Sequence, residues 1–226
     1  MKRKLTLAAL LASAGFAGAW SFLDSPPPKW GGSPTGSGSG GEVTFFMNEA
    51  GTADVPGLAE GTMIAGELAE WDAATSGALD LEYGGTIPVA AEPGDGLNVI
   101  DWRALGPGIG AGTFPMYVGG EMLEADIQMN SDMDWSDPVF LENVLLHELG
   151  HAVGMDHEDG VTAVMNSVVM GTTELQPDDV AGIVALYGTG GGSDGTGGGA
   201  APHAPTWCAR RTASAKRHRG LRGLPA

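Results

Sequence analysis

Segments that alternate apolar with polar residues, or that concentrate β-branched and aromatic residues, predict five β-strands between residues 43 and 129. Three of these segments are separate and lie at residues 43–47, 79–83 and 97–102. Two more, residues 114–118 and 121–129, are joined by Gly119 and Gly120. A two-glycine connection predicts a β-hairpin, because glycine readily adopts the positive φ angles of tight hairpin turns.

Apolar residues that recur every three or four positions predict three helices. The first lies around residues 58–71, where one face would carry Leu58, Ile64, Leu68 and Trp71. The second spans residues 138–153, because Asp137 followed by Pro138 is a typical helix start and an apolar stripe follows it. The third spans residues 177–187, with acidic residues in its first turn and a glycine directly after it.

The first 19 residues have the composition of a signal peptide. A basic stretch at residues 2–4 precedes an apolar stretch at residues 5–17, and Ala17-Gly18-Ala19 is a small-x-small cleavage pattern. The apolar stretch is shorter than the roughly 20 residues that a membrane-spanning helix needs. We therefore expect cleavage after Ala19, secretion to the extracellular space and no membrane insertion of the mature chain. Retention at the cell surface stays open.

Two segments of linker composition flank the predicted domain. Residues 20–41 are rich in proline, glycine and serine, and residues 189–226 form a glycine-rich stretch followed by a basic tail. We expect both segments to be disordered, which places one folded domain at residues 42–188. Docking of the tail on the domain and an unusual sorting tail are alternatives. Cys208, the single cysteine, leaves no partner for an internal disulfide and is an alternative candidate for an inhibitory zinc thiolate.

The predicted domain is strongly acidic. Between Glu42 and Gly188 the sequence holds 26 acidic residues and one Lys or Arg residue, Arg103. Such a charge repels nucleic acid and anionic membranes, so neither is expected as a partner. Calcium is a second cofactor that the sequence leaves open, because acidic residues crowd the approach to the second helix. These residues, which do not have EF-hand spacing, are Asp126, Asp132, Asp134 and Asp137.

The second predicted helix carries a metal-binding pattern, HELGHAVGMDH, that begins at His147. His147 and His151 lie four residues apart, so both imidazoles project from one helix face and can hold one ion. Glu148 lies beside them, where it can reach a metal-bound water without being a ligand. Gly154 can adopt a positive φ angle that ends the helix and returns His157 to the same ion. Three nitrogen ligands leave one coordination position open, as in catalytic zinc sites.

This pattern fits H-E-x-x-H-x-x-G-x-x-H at each specified position and resembles the metzincin zinc peptidases. The resemblance implies an α/β (α+β), zincin-like fold, in which a twisted, mostly parallel sheet carries an active-site helix and a C-terminal helix. It also implies a methionine turn that forms an apolar floor under the zinc, for which Met165 is the candidate. Residues 175–188 resemble the last catalytic-domain helix of matrixins.

Two residues bear on the choice of metzincin subfamily. Glu158 follows the third histidine, as in astacins, whereas matrixins usually carry serine there. Astacins place a tyrosine two residues after the methionine, and this chain has Ser167 at that position. We therefore favour a matrixin-like domain, with an astacin-like peptidase as the alternative. One zinc ion is expected, because the remaining histidines, His203 and His218, lie in the tail.

These observations predict a secreted zinc metalloendopeptidase that hydrolyses protein or peptide substrates. The three motif histidines would hold zinc, and Glu148 would act as the general base. By the same resemblance, the substrate would lie along an edge strand at residues 113–117, and residues 167–175 would wall the pocket beside the cleaved bond. The alternative from another functional class is a noncatalytic zinc-binding or adhesive module on the same fold.

Overall fold

The computed structural model describes residues 19–31, 43–55, 59–169, 171–188 and 206–209. Within these ranges the helices are α1 (Ala59–Ala74), α2 (Pro138–Ala152) and α3 (Pro177–Tyr187). The strands are β1 (Ser21–Phe22), β2 (Val43–Asn48), β3 (Leu81–Ile87), β4 (Asn98–Arg103), β5 (Ile109–Val118), β6 (Glu121–Asn130), β7 (Met155–Asp156) and β8 (Thr206–Ala209).

Six strands form one sheet in the order β3-β2-β4-β6-β5-β8. β2 lies parallel to β3 and to β4, and β4 lies parallel to β6. β5 runs antiparallel to β6, its hairpin partner, and antiparallel to β8 on its other side. The short strands β1 and β7 pair with each other. The predicted α/β fold with a mostly parallel sheet is confirmed.

The predicted hairpin is present, and its first strand is longer than expected. The turn glycines Gly119 and Gly120 have φ angles of +63° and +82°, as a tight hairpin turn requires. β5 begins at Ile109 rather than at residue 114. Its first residues escape the sequence pattern because Gly110 and Gly112 interrupt the alternation of side chains and have low strand propensity.

α1 and α2 pack against each other and against the sheet, α1 on β3 and α2 on β5 and β6. Ile64, Leu68 and Trp71, predicted to share one helix face, are each buried in the core. The indole Nε1 of Trp71 donates a hydrogen bond of 2.9 Å to the backbone oxygen of Leu146. This contact attaches α1 to the part of α2 that precedes the histidine motif.

Part of the predicted linker belongs to the folded domain. Residues 19–31 pack on the domain, where Leu23 and Trp30 join the hydrophobic core. Trp30 Nε1 donates to the last backbone oxygen of α2 at 2.9 Å, and its backbone N–H donates to the hydroxyl at the end of α3 at 3.0 Å. The structure therefore corrects the expectation of disorder for this stretch. Its few large apolar side chains bury enough surface to anchor it.

Other terminal predictions fall largely outside the described residues, namely at positions 1–18, 32–42, 189–205 and 210–226. The signal peptide, its cleavage site and the disorder of those stretches therefore stay predictions. Residues 206–209 of the tail differ from the expectation of disorder, because they form β8 by pairing with β5. In the described part of the chain, no helix combines the length and the apolar character needed to cross a bilayer.

Candidate active site

Three histidines meet at the C-terminal end of α2. His147 and His151 lie one turn apart on α2, and a turn at Gly154, with φ of +102°, lets β7 return His157 to them. The Nε2 atoms of His147 and His151 are 3.1 Å apart, and those of His151 and His157 are 3.2 Å apart. Two nitrogens bound about 2.0–2.1 Å from a tetrahedral zinc ion lie about 3.3 Å apart. The spacing of the three nitrogens therefore fits one zinc ion.

Backbone carbonyl groups fix the orientation of two of these rings. His147 Nδ1 lies 2.7 Å from the oxygen of Val164, and His151 Nδ1 lies 2.9 Å from the oxygen of Met155. A carbonyl oxygen only accepts hydrogen bonds, so each Nδ1 carries the proton and each Nε2 presents its lone pair. Lone pairs that face each other at this distance repel unless a cation lies between them. The chemistry of the donor set therefore fits a metal ion.

Burial keeps these histidines neutral near pH 7. Desolvation lowers the pKa of His147 to about 4, and it also lowers the pKa of His151 and of His157. Protons compete with metal ions for imidazole nitrogens, so rings that are already neutral bind a metal without first losing a proton. The neutral imidazoles can therefore bind a cation without electrostatic repulsion.

Glu148 is fully buried beside the histidines and contacts β5. Its Oε2 accepts a hydrogen bond of 2.7 Å from the hydroxyl of Thr113 on β5. The same hydroxyl lies 3.0 Å from the backbone oxygen of Glu148, and one proton serves both acceptors. Residues 113–117 were predicted to be an edge strand, but β5 lies between β6 and β8 in the structure. The contact of Thr113 with the predicted base was also missed.

Met165 lies in a buried turn that packs against α2. A side chain at Gly150, between the first two motif histidines, would overlap the sulfur of Met165, so glycine is required for this close approach. The buried carboxylate of Asp179 on α3 accepts hydrogen bonds from the backbone N–H groups of Val164, at 2.8 Å, and Met165, at 3.2 Å. Asp179 was expected only as an acidic residue in the first helical turn. In the structure it also holds the turn whose carbonyl orients His147.

Side-chain hydrogen bonds tie down the loop between His157 and the Met165 turn. Asn166 Nδ2 donates to the backbone oxygens of Glu158 and Val161. Ser167 donates two hydrogen bonds of 2.8 Å to the carboxylate of Asp159, one from its backbone N–H and one from its hydroxyl. These contacts hold the segment next to the third histidine in one conformation.

Only part of the segment predicted to wall a substrate pocket lines a pocket in the described structure. An open pocket of about 460 Å³ is lined by Asp159, Gly160, Val161, Thr162, Asn166 and Val168. Val168 lines this pocket, whereas Val169 is buried in the core and Met170 lies outside the described residues. That the pocket receives a substrate side chain stays a prediction. Asn143 of α2 contacts the backbone of Gly171 and Thr172, which fixes the start of the following segment.

The acidic residues considered for calcium do not converge. Asp137 caps α2 by accepting backbone N–H groups of its first turn, and Asp134 accepts the N–H of Ser136 at 3.0 Å. Asp126 is buried in the sheet and accepts the N–H of Val99 at 2.9 Å. Among the described residues, the three motif histidines form the only group of three or more His, Cys, Asp or Glu side chains whose potential ligand atoms lie close together. Calcium stays a prediction without an assigned site.

The three tyrosines of the chain all lie within the described ranges and are engaged away from the histidines. Tyr187 donates to a backbone oxygen in the turn after α2 at 2.9 Å, and the Tyr117 hydroxyl lies 3.4 Å from a carboxylate oxygen of Asp24. Tyr83 packs against Gly61 of α1. None of these contacts supplies the tyrosine ligand on which the astacin alternative depends.

The matrixin family matches residues 107–188 of this chain. Macrophage metalloelastase of Oryctolagus cuniculus is 35% identical over 101 residues, which cover 42% of this chain and 19% of that protein. Stromelysin-1 of Mus musculus is 36% identical over 81 residues, or 32% of this chain and 17% of that protein. Metalloendoproteinase 5-MMP of Arabidopsis thaliana is 42% identical over 67 residues, or 28% of this chain and 18% of that protein. The matched parts of the chain thus span about a fifth of each relative.

The family match covers the elements that build the histidine centre. It contains the β5–β6 hairpin, the histidine motif on α2, the Met165 turn and α3. The similarity to zinc peptidases agrees with the geometry of the three histidines and with the mostly parallel sheet. The chain therefore carries a matrixin-like metzincin domain.

Proposed function

We propose that this chain is a secreted endopeptidase in which His147, His151 and His157 hold one catalytic zinc ion and Glu148 is the general base. The observation that carries the proposal is the convergence of three neutral imidazoles, two of them buried and that of His157 partly buried, beside a buried carboxylate. The similarity to matrixins supports the same activity. Secretion rests on the signal-peptide composition of the first 19 residues.

The residues around the histidine centre can share the work of peptide hydrolysis. A bound zinc ion supplies a water of lowered pKa and polarises a peptide carbonyl group. Glu148 accepts a proton from the attacking water and delivers it to the leaving amine. The hydroxyl of Thr113 holds Oε2 of that carboxylate and restricts its rotation. Asp179 keeps the Met165 turn, and with it the carbonyl that orients His147, in place.

The proposed substrates are extended segments of proteins or peptides. β5 carries Thr113, so a peptide that adds to its outer edge runs past the candidate general base. Such pairing uses backbone hydrogen bonds and therefore accepts many sequences, while side-chain pockets provide the selectivity. The negative charge of the domain favours substrates with basic residues over acidic ones.

The competing function is a zinc-binding module without catalysis. Such a module needs the three histidines but has no need of a buried carboxylate beside an open coordination position. Burying an ionisable group away from water costs free energy, so its placement here calls for a compensating role. The contact between Glu148 and the β5 edge favours the enzyme, because it joins the base to the place where a substrate would pair.

Hydrolysis of casein by the purified chain tests this proposal. We expect cleavage that a zinc chelator abolishes and added zinc restores. Glu148→Ala should abolish cleavage while one zinc ion per chain stays bound. Glu142→Ala, which removes a carboxylate from the same helix outside the histidine centre, should preserve cleavage. Stoichiometric zinc without cleavage of casein or of a mixed peptide library would contradict the proposal and favour the binding module.

A further inference from the structure

The outer edge of β5 is covered by a strand from the C-terminal tail. β8 runs antiparallel to the first half of β5, on the side opposite β6. The paired residues are Ile109 with Ala209, Gly112 with Trp207 and Thr113 with Thr206. The tail thus uses the backbone groups that β5 would otherwise offer to an added peptide.

This pairing lies beside the candidate general base. Thr113 is opposite Thr206 in the strand register, and its hydroxyl contacts the carboxylate of Glu148. A substrate that adds to β5 at this position needs the same edge N–H and C=O groups. Two strands cannot lie along one edge at the same level, so β8 and a substrate peptide exclude each other.

We propose that residues 206–209 act as a built-in competitor that occupies the substrate edge of β5, an inference that rests on the proposed peptidase function. Charge favours this arrangement. After Gly188 the sequence carries six Lys or Arg residues and one acidic residue, whereas the domain before it is strongly acidic. Attraction between the two raises the fraction of time that the tail spends on the domain. The tail is then a reversible competitive inhibitor of substrate binding rather than an inert extension.

The expected size of the effect follows from the tether. Seventeen residues lie between Gly188 and Thr206. Linkers of this length and glycine-rich composition typically give a tethered segment an effective concentration in the millimolar range. If the free segment binds with a Kd of about 0.1–1 mM, the tethered one raises the apparent KM about 2- to 10-fold. The value of kcat stays unchanged, because saturating substrate displaces a competitor.

Kinetics with a short peptide substrate test the competition. We expect a chain that ends at Gly188 to show a KM about 2- to 10-fold lower than the full chain, with the same kcat. The double variant Thr206→Pro with Trp207→Pro should reproduce the truncation, because successive N–H groups of a strand point to opposite sides and proline removes both. Ala213→Pro with Ser214→Pro changes the same tail beyond β8 and should leave the KM of the full chain unaltered.

Cys208→Ser separates strand pairing from the alternative in which the thiolate binds zinc. Strand pairing uses backbone groups, so the serine variant should keep the high KM of the full chain. A KM that falls to the truncated value in Cys208→Ser, but not in the double proline variant, would overturn strand competition in favour of the thiolate. Equal KM values for the full and truncated chains would overturn the proposed competition as well.

Hydrogen exchange supplies a readout that does not depend on catalysis. In the Glu148→Ala background, the amides of residues 109–113 that face away from β6 should exchange more slowly in the full chain than in the truncated chain. Equal exchange in the two chains would refute the pairing, whatever the activity. Loss of this protection by truncation, together with no cleavage by any chain, would instead refute the proposed function and leave the strand pairing standing.

Discussion

Two groups of buried ionisable side chains in this domain respond to burial in the same way but have different consequences. In both groups desolvation favours the neutral form. It lowers the pKa of His147 to about 4, and it raises the pKa of Glu67 on α1 to about 8 and that of Asp126 on β6 to about 7. Only the histidines converge on a common point. Burial thus sets the charge state, whereas convergence of oriented lone pairs makes a metal site.

Orienting contacts distinguish the histidines from the buried carboxylate of Glu67. The rings of His147 and His151 are each held by a backbone carbonyl oxygen at their outer nitrogen. Glu67 Oε2 has no hydrogen-bond partner in the described part of the chain, and the like charges of Glu70 and Glu142 raise its pKa further. A buried group without orienting contacts reduces stability at the pH where it ionises, and it offers no defined geometry to a ligand.

The largest expected effect comes from removing the central histidine. The Nε2 atom of His151 lies within 3.2 Å of both other ring nitrogens, so His151→Ala removes the ligand that joins the set. We expect zinc content to fall from one ion per chain to background and casein cleavage to disappear with it. Elemental analysis after dialysis measures the zinc. His218→Ala, in the tail, is the control and should retain one ion. Full zinc content in His151→Ala would show that the converging histidines are not the zinc site.

The next effect concerns the turn that supports the first histidine. Asp179→Ala leaves the buried N–H groups of Val164 and Met165 without their acceptor, and each such loss costs about 1–3 kcal/mol. We expect the free energy of unfolding of the zinc-loaded chain to fall by at least about 2 kcal/mol, measured by urea denaturation. Asp178→Ala, one residue away on the same helical turn, should change it far less. Equal losses in the two variants would show that the turn does not depend on this carboxylate.

A smaller effect should follow when the contact between Thr113 and Glu148 is removed. Thr113→Val keeps the shape of the side chain but removes the hydroxyl that holds Oε2 of the base. Losing a supporting contact of this kind typically lowers the activity of a metal site about 10- to 100-fold, so we expect kcat/KM to fall within this range. Thr113→Ser should recover most of the activity. Unchanged kcat/KM in Thr113→Val would show that the hydroxyl of Thr113 does not assist Glu148.

The smallest expected effect concerns the buried carboxylate of Glu67. The pKa of Glu67 lies at about 8 in the folded state, above its ordinary value of 4.5. The folded chain therefore binds this proton more tightly than the unfolded chain does, and the stability that results is present at low pH and lost as the pH rises toward 8. Glu67→Gln should make the free energy of unfolding less dependent on pH across this window. Urea denaturation at several pH values measures it, with the exposed Glu174→Gln as the control. A variant that keeps the pH dependence of the parent chain would show that Glu67 is not its source.

The histidine motif and its helix could be predicted because their determinants are local. His147, Glu148 and His151 lie within one helical turn of each other, and Gly154 takes the positive φ angle that the pattern requires. The periodic apolar residues of α1 and the two turn glycines of the hairpin were sufficient for the same reason. Local residue spacing was therefore sufficient to predict most of the helices and strands and the set of proposed ligands.

The contacts that sequence reasoning missed join residues far apart along the chain. Thr113 and Glu148 are 35 residues apart, and Trp30 and the end of α2 are 122 residues apart. Neither pairing has a periodic signal, because each depends on how the sheet and helices pack. β8 was missed for a further reason. Its four residues follow a glycine-rich stretch of linker composition, and strand propensity alone cannot reveal a partner on β5.

A zinc titration of the chelator-treated chain is the most direct test of the proposed catalytic zinc centre. Casein hydrolysis is followed as zinc is added in known amounts to a known amount of protein. We expect activity to rise in proportion to zinc and to reach its plateau at one ion per chain, since one set of three histidines holds the catalytic ion. Saturation of the chain with zinc while hydrolysis stays at background, or a plateau that requires a second ion, would contradict it.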